Sequence, residues 1–144
     1  MGMRLRRKGQ RIVFTNGVFD LLHRGHVDYL AKAKALGDVL IVGLNSDRSV
    51  KRIKGNRRPL QTQADRAAIL LALAAVDYVV LFGEDTPEKL IAELKPHVLA
   101  KGADYKKAEI VGAALVEANG GSVRRISLVK GRSSSRLIDK LEKM

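Results

Sequence analysis

The feature that most constrains the fold is the alternation of short apolar runs with helix-forming segments along the chain. The runs lie at residues 11–15, 39–44, 78–82, 98–100 and 122–128; the first four are apolar in the middle, whereas the last contains two arginines and is the weakest strand prediction. Strands that are buried on both faces read as continuous apolar runs, and strand–helix repeats of this kind build a parallel sheet covered by helices. The sequence therefore predicts an α/β fold, with a single doubly wound domain of about five parallel strands and helices on both faces.

Helices are predicted between these runs, at residues 26–36, 62–75, 86–95, 108–119 and from 133 to the C-terminus. Gly37 is a helix stop signal, and Thr62 stands at capping-box spacing from Asp65. Residues 45–60 are polar and basic and contain glycine and proline, so they are predicted to be a loop. Residues 1–10 are interpreted as a basic N-terminal tail, and residues 11–144 as the domain.

The composition narrows the class of function. The chain has 144 residues, no cysteine and a formal net charge of +12. The absence of cysteine excludes disulfides and thiolate metal sites, and no apolar stretch approaches the roughly 20 residues that span a bilayer. We therefore expect a cytoplasmic protein with no membrane partner. A basic chain attracts polyanions, but aromatic residues make up only 4% and the basic residues are dispersed. No nucleic-acid partner is expected, and a basic nucleic-acid-binding module is kept as the alternative from another class.

The densest chemical signal directly follows the first predicted strand, in the run TNGVFDLLHRGH at residues 15–26. His23 and His26 flank Gly25 where a helix begins, and a helix N-terminus offers free N–H groups to an anion. Imidazole donors there would stabilise charge on a transferring phosphoryl group. The alternative is that both histidines only cap the helix or pack beneath it. The spacing is not that of helical zinc ligands, and His97 lies in another segment.

This run resembles the signature of the HxGH nucleotidylyltransferases, and within that group it looks most like the heptose 1-phosphate adenylyltransferases. Four later stretches that follow strands carry the same resemblance, namely GLNSD at 43–47, KRIKGNRRP at 51–59, KGADY at 101–105 and GRSSS at 131–135. The similarity extends from Ile12 to Leu141. Ala103 departs from the second glycine of KGGDY, and serines stand where relatives have threonines, which keeps the hydroxyl groups.

The resemblance implies a Rossmann-like domain that transfers AMP from ATP to heptose 1-phosphate and releases pyrophosphate. The product would be ADP-heptose for the lipopolysaccharide core. Such domains occur alone, as expected here, or as the C-terminal half of a bifunctional kinase–adenylyltransferase. The resemblance also implies Mg²⁺ carried on the nucleotide phosphates and a homodimer. A cytidylyltransferase that uses CTP and a polyol or sugar phosphate remains the alternative, because a few residues around Gly102 can decide the base.

The matching positions define three sets of expected site residues and no protein ligand for a metal. The catalytic set is His23, His26 and Lys54. The nucleotide-binding set is Thr15, Asn16, Gly17, Val18, Phe19, Gly25, Arg66, Lys101, Gly102, Asp104, Gly131, Ser133, Ser134 and Ser135. The set that binds the phosphorylated sugar is Asp20, Asn45, Asp47 and Lys51. Lys51 and Lys54 are flexible and could close over the β and γ phosphates. Ser133, Ser134 and Ser135 stand at the start of the last helix, where they would form a second phosphate site that faces the first.

Overall fold

The computed structural model describes residues 1–128 and 134–143, and within them the strands form one parallel sheet in the order β3-β2-β1-β4-β5. The strands are β1 (Ile12–Gly17), β2 (Val39–Asn45), β3 (Tyr78–Phe82), β4 (Val98–Gly102) and β5 (Ser122–Ile126). The helices are α1 (Gly2–Arg7), α2 (Arg24–Lys34), α3 (Asp47–Lys54), α4 (Gln63–Leu71), α5 (Glu88–Leu94), α6 (Ala113–Ala118) and α7 (Ser134–Glu142). The predicted fold class is confirmed.

Two apolar clusters lie on opposite faces of the sheet, as the continuous apolar strands predict. Val13 is fully buried on the face that packs Leu30 of α2 and Leu70 of α4. Its neighbour Phe14 is fully buried on the other face, which packs Ile91 of α5 together with residues of α1 and α6. Successive side chains of a strand point to opposite faces, so β1 can serve both clusters only because both of its faces are apolar.

A crevice opens between β1 and β4 at the carboxyl ends of the strands. β1 pairs with β2 along its whole length, up to Gly17 opposite Leu44. Its pairing with β4 stops at Phe14 opposite Leu99, so the two strands separate beyond that point. The strand order also reverses at β1, and in open parallel sheets this switch point is where ligands bind.

Three segments differ from the sequence prediction. Residues 47–54, predicted as part of a loop, form α3, because the Ser46 side chain accepts the N–H of Ser49 at 3.2 Å and caps the helix. The helix predicted at 108–119 is a 3₁₀ turn followed by the shorter α6, because Gly112 adopts a φ of 87° between them. In the segment interpreted as a tail, residues 2–7 form α1, and Leu5 is buried against the α5 face of the sheet.

Candidate active site

The two histidines of the HRGH sequence are built into the cap of α2. His23 is the N-cap residue, and its Nδ1 accepts the N–H of Gly25 at 3.0 Å. The Nδ1 of His26 accepts the N–H of His23 at 3.3 Å, which completes a reciprocal capping box. The two rings stack with centroids 3.9 Å apart. The capping role and the proposed chemical role therefore use the same two side chains.

This cap changes how the helix terminus can bind an anion. The N–H of Gly25 is taken by the His23 ring, and the N–H of His26 bonds the His23 carbonyl at 3.0 Å. These N–H groups, which the sequence analysis expected to be free for a phosphate, are used inside the turn. Because Nδ1 of each ring accepts a main-chain N–H, the proton of each neutral imidazole sits on Nε2. The hydrogen-bond donors that the two rings can offer to a ligand are therefore their Nε2–H groups.

His26 is neutral at physiological pH. Burial lowers its pKa to about 4, and the neighbouring His23 contributes in the same direction. The ring of Phe19 contacts it edge-on, with centroids 5.2 Å apart, and Phe19 adopts a left-handed backbone conformation with a φ of 48°. That conformation is uncommon for a bulky residue and is held here by burial of the ring. His26 can thus offer a hydrogen-bond donor to a ligand but not a fixed positive charge.

The lowered pKa of His26 predicts how stability depends on pH. The unfolded chain binds a proton at this residue below about pH 6.5, whereas the folded protein binds it only near pH 4. The free energy of unfolding should therefore fall as the pH drops through this window, by on the order of 2 kcal/mol after allowance for partial exposure. The measurement is the urea midpoint at several pH values for the wild type and His26→Gln.

The His26→Gln variant is a matched control because glutamine at this helix position can also accept the N-cap N–H. Other groups titrate equally in both proteins, so the difference between the two pH profiles isolates the imidazole. Parallel profiles between pH 7 and pH 4 would contradict the assignment of a depressed pKa to His26.

Arg66 joins the loops that surround the histidines. Its side chain is only 1% exposed. Its Nη1 donates to the carbonyl oxygens of Val18 at 2.8 Å and Asn45 at 2.9 Å, and its Nε donates to the Gln61 carbonyl at 3.1 Å. Nη2 pairs with Asp47 Oδ1 at 2.8 Å. Arg66 therefore holds together the chain after β1, the end of β2 and the start of α4, and its contact with the nucleotide stays a prediction.

Asp20 anchors a loop, although the sequence analysis expected it to face the sugar phosphate. The residue is 4% exposed, and both carboxylate oxygens accept the N–H of Leu60 at 2.9 and 3.0 Å. Oδ1 also accepts the N–H of Gln61 at 3.0 Å, and the Gln61 side chain bonds the Asp20 carbonyl. The carboxylate is used by main-chain donors, so it holds the segment after α3 against the loop that leads to His23.

Two more residues expected to bind substrate are engaged inside the protein. Asn45 is 5% exposed, and its side-chain amide donates to Ser49 Oγ at 3.0 Å. Asp47 is the partner of Arg66, and its own N–H donates to Gln63 at 2.9 Å. Both residues lie at the carboxyl end of β2 and help to position the start of α3.

A basic groove lies beside this cluster, at the end of α3. Lys54, Arg57 and Arg58 line a space of about 430 Å³ together with Glu142 of α7. Arg58 faces the Glu142 carboxylate at 3.9 Å. Lys54 is exposed at the last position of α3, as is Lys51 one turn earlier. Three cations in one groove suit a polyphosphate, and the two arginines were not among the sequence-predicted site residues although their basic loop was noted.

The expected nucleotide side lies at the end of β4, across the crevice. Burial lowers the pKa of Lys101 to about 8, against the opposing effect of Asp104, and its Nζ lies 5.2 Å from the centre of the Tyr105 ring. A Cβ at Gly102 would lie 2.6 Å from the Asp104 carboxylate, so a larger residue there would displace the Asp104 side chain. Thr15 does not point there, because its hydroxyl is bonded to the hydroxyl of Tyr29 at 2.8 Å.

The predicted phosphate-binding residues near the start of α7 lie wholly or partly outside the described residues. Gly131 and Ser133 lie outside the described residues, and Ser134 and Ser135 are described only as the first residues of α7. In the described part of the chain, no three histidine, aspartate or glutamate side chains form a group that could hold a metal ion. No helix there is long and apolar enough to cross a membrane.

Comparison with known proteins supports the resemblance found in the sequence. The family model described as Cytidylyltransferase-like matches residues 14–124. The chain is 58% identical over 134 residues to the Bifunctional protein HldE of Pelobacter propionicus, and 55% identical over 139 residues to that of Helicobacter pylori. These matches cover 93% and 96% of this chain but only 28% and 29% of the relatives, so the chain spans little more than a quarter of their length.

A solved structure extends the comparison to the whole fold. The lipopolysaccharide core biosynthesis protein from Thermoplasma volcanium matches with a TM-score of 0.69 and 32% sequence identity. The match covers 86% of this chain and 100% of that chain. The fold described above is therefore similar to that of this protein over its full length.

Proposed function

Since the chain belongs to the cytidylyltransferase-like family, we propose that it transfers AMP from ATP to a sugar 1-phosphate, heptose 1-phosphate, and releases pyrophosphate. The observation that carries this proposal is the HRGH cap. It places two oriented imidazoles at the start of α2, beside the crevice between β1 and β4. The product, ADP-heptose, would serve assembly of the lipopolysaccharide core.

The reaction is an in-line displacement. An oxygen of the sugar 1-phosphate forms a bond to the α-phosphorus of ATP, and the bond from that phosphorus to the bridging oxygen of the β-phosphate breaks. No protein nucleophile is needed, because the attacking group is already an anion. Neutral His26 and its partner His23 stabilise the charge on the transferring phosphoryl group through Nε2–H donors.

The basic groove of Lys54, Arg57 and Arg58 would hold the β and γ phosphates. Mg²⁺ bound to those phosphates would offset their charge when the nucleotide is present. The groove fits this arrangement because its donors are cationic. The carboxylates of Asp20 and Asp47 nearby are occupied by protein groups. The ion would thus be carried by the nucleotide and not by a dedicated set of protein ligands.

The choice of adenine and of the sugar is a separate part of the proposal. The relatives named Bifunctional protein HldE and the lipopolysaccharide core biosynthesis protein agree with a heptose substrate. Base recognition would involve Lys101, Asp104 and the main chain at Gly102. A cytidylyltransferase remains the second candidate, since the family model that matches is described as cytidylyltransferase-like.

A homodimer is the remaining part of the proposal. β3 is an edge strand of the sheet, and its side chains Tyr78 and Leu81 are 39% and 45% exposed. Leu71 at the end of α4 is 52% exposed. Apolar side chains on an uncovered sheet edge favour pairing with a second surface, and a second copy of this chain would supply one.

The test measures pyrophosphate release with Mg²⁺, crossing ATP and CTP against heptose 1-phosphate and glycerol 3-phosphate. We expect release with ATP and heptose 1-phosphate and little with the other three pairs. Release with CTP alone would keep the mechanism and reassign the base. Release with no pair, from protein shown to be folded, would contradict the proposed substrates.

A further inference from the structure

Asn16 carries a buried polar atom that the fold does not satisfy. It is the fifth residue of β1, one position before the strand ends. Its Oδ1 is buried and has no hydrogen-bond partner among the described residues. In that part of the chain, Ser122 Oγ is the one other buried side-chain oxygen or nitrogen without a partner. Nearly all buried polar atoms in folded proteins are paired, so an unpaired atom at a ligand crevice points to a partner that arrives with the ligand.

The neighbours of Asn16 show which side of the sheet it serves. Thr15 points to the α2 face and is paired with Tyr29. Asn16 points to the opposite face with Phe14, and its strand partner in β2 is Gly43. A Cβ at Gly43 would lie 2.7 Å from the Phe14 ring and 3.4 Å from the Asn16 Cβ, so a side chain there would crowd this part of the face.

The position of Asn16 places it at the mouth of the crevice. β1 and β4 are paired only as far as Phe14 and Leu99, and Asn16 is two residues beyond the last pair. On the other side of the crevice, β4 ends with Lys101 and Gly102. A molecule bound between the two strand ends would therefore pass the Asn16 amide on the side of the sheet away from the α2 helix.

The chemistry of the substrates limits what can pair with this amide. Phosphate oxygens are acceptors and offer nothing to Oδ1, whereas a sugar hydroxyl and the exocyclic amino group of adenine can both donate to it. A sugar hydroxyl is both donor and acceptor, so it satisfies a buried amide group in either sense. Resting on the proposed function, we infer that Asn16 binds a sugar hydroxyl of a substrate held in the crevice and selects for a ligand that carries it. The hydroxyl belongs to the ribose of ATP or to the phosphorylated sugar, and the two sources respond differently to substitution.

The test uses Asn16→Leu, which keeps the size of the side chain and removes its polar end. Without ligand, this variant should unfold at the same temperature as the wild type or higher, because an unsatisfied group is lost and no hydrogen bond is broken. Its KM should rise by about tenfold or more for the substrate whose hydroxyl is bound. A rise in KM for ATP points to the nucleotide, and the ribose is identified if the KM values for ATP and 3′-deoxy-ATP differ less in the variant than in the wild type; an equal difference in both proteins overturns the assignment to the ribose. A rise in KM for heptose 1-phosphate shows instead that the hydroxyl belongs to the acceptor sugar.

Ser122→Ala is the matched control. It removes the other unpaired buried atom, but it lies at the start of β5, at the opposite end of the sheet from the crevice. We expect its KM for both substrates to stay within twofold of the wild type. An Asn16→Leu protein that unfolds at a lower temperature than the wild type, or whose two KM values both stay within twofold, overturns the inference.

Thermal shifts separate this inference from the proposed reaction. The increase in unfolding temperature on adding ATP or heptose 1-phosphate reports binding without turnover. If the wild type binds either compound but releases no pyrophosphate, the proposed reaction fails. In that case the inference is supported if the ligand raises the unfolding temperature of Asn16→Leu less than that of Ser122→Ala. It is overturned if the ligand raises both temperatures equally.

Discussion

His26→Gln should lower kcat for pyrophosphate release by about a hundred- to thousand-fold, the range for loss of one oriented donor to a transition-state oxyanion. The variant keeps an acceptor for the His23 N–H, so α2 should remain capped. The neutral imidazole of His26 can donate through Nε2. When the glutamine oxygen accepts the His23 N–H in its place, the amide nitrogen does not lie at the position of Nε2, so this donor is lost. The measurement is steady-state kinetics with ATP and heptose 1-phosphate, together with the urea midpoint at neutral pH.

His97→Asn provides the control for replacement of a histidine. His97 precedes β4 at the opposite end of the sheet, and its Nδ1 accepts the N–H of Ile12 at 2.9 Å. Asparagine can supply a similar acceptor, and kcat should stay close to the wild-type value. A kcat for His26→Gln within threefold of the wild type, in a folded protein, would rule out a direct role for His26 in the reaction.

Arg66→Met should produce the largest loss of stability among the predicted variants. The change removes a fully buried guanidinium and leaves three main-chain carbonyls and the Asp47 carboxylate without their donor. Breaking a buried, hydrogen-bonded charge pair lowers the free energy of unfolding by about 3–5 kcal/mol. For a domain of this size we expect Tm to fall by about 10 °C or more. Thermal unfolding followed by circular dichroism measures it.

Arg52→Met is the matched control for loss of an arginine. Arg52 is half-exposed, pairs with Asp85 at 3.0 Å and bonds the Gly83 carbonyl, so its removal should lower the free energy of unfolding by about 1 kcal/mol or less. If Arg66→Met does not fold, Arg66→Lys keeps the charge and part of the bonding and should show an intermediate Tm. Equal small shifts for Arg66→Met and Arg52→Met would contradict the central position assigned to Arg66.

The fold could be predicted from the sequence because the first four strands are largely apolar runs, for which hydrophobic burial leaves few arrangements. The observed bounds of β3, Tyr78–Phe82, are those predicted. The helix α3 was not predicted, since its composition is polar and its cap is a single Ser46 side chain. The break at Gly112 was missed because a glycine inside a helical pattern does not reveal its φ.

The position of the candidate site could be predicted from the HRGH sequence. The hydrogen-bond partners of its individual side chains could not. A buried carboxylate such as Asp20 looks like a ligand group in a sequence, and only the three-dimensional position of Leu60 and Gln61 shows where its bonds go. Tyr29 gave a weak signal as a tyrosine on an apolar helix face, because a buried hydroxyl needs a partner. The hydrogen-bond partner that it finds, Thr15, lies on a strand and was expected to contact the nucleotide.

The α2 cap has a further consequence for electrostatics. In many enzymes a carboxylate orients the working histidine and adds a negative charge next to the chemistry. Here the Nδ1 atoms of His23 and His26 are oriented by main-chain amides, which are neutral. The rings keep their orientation through bonds that add no charge to repel an incoming triphosphate. Helix formation is then also the step that sets the tautomer, so the donors are arranged before any nucleotide arrives.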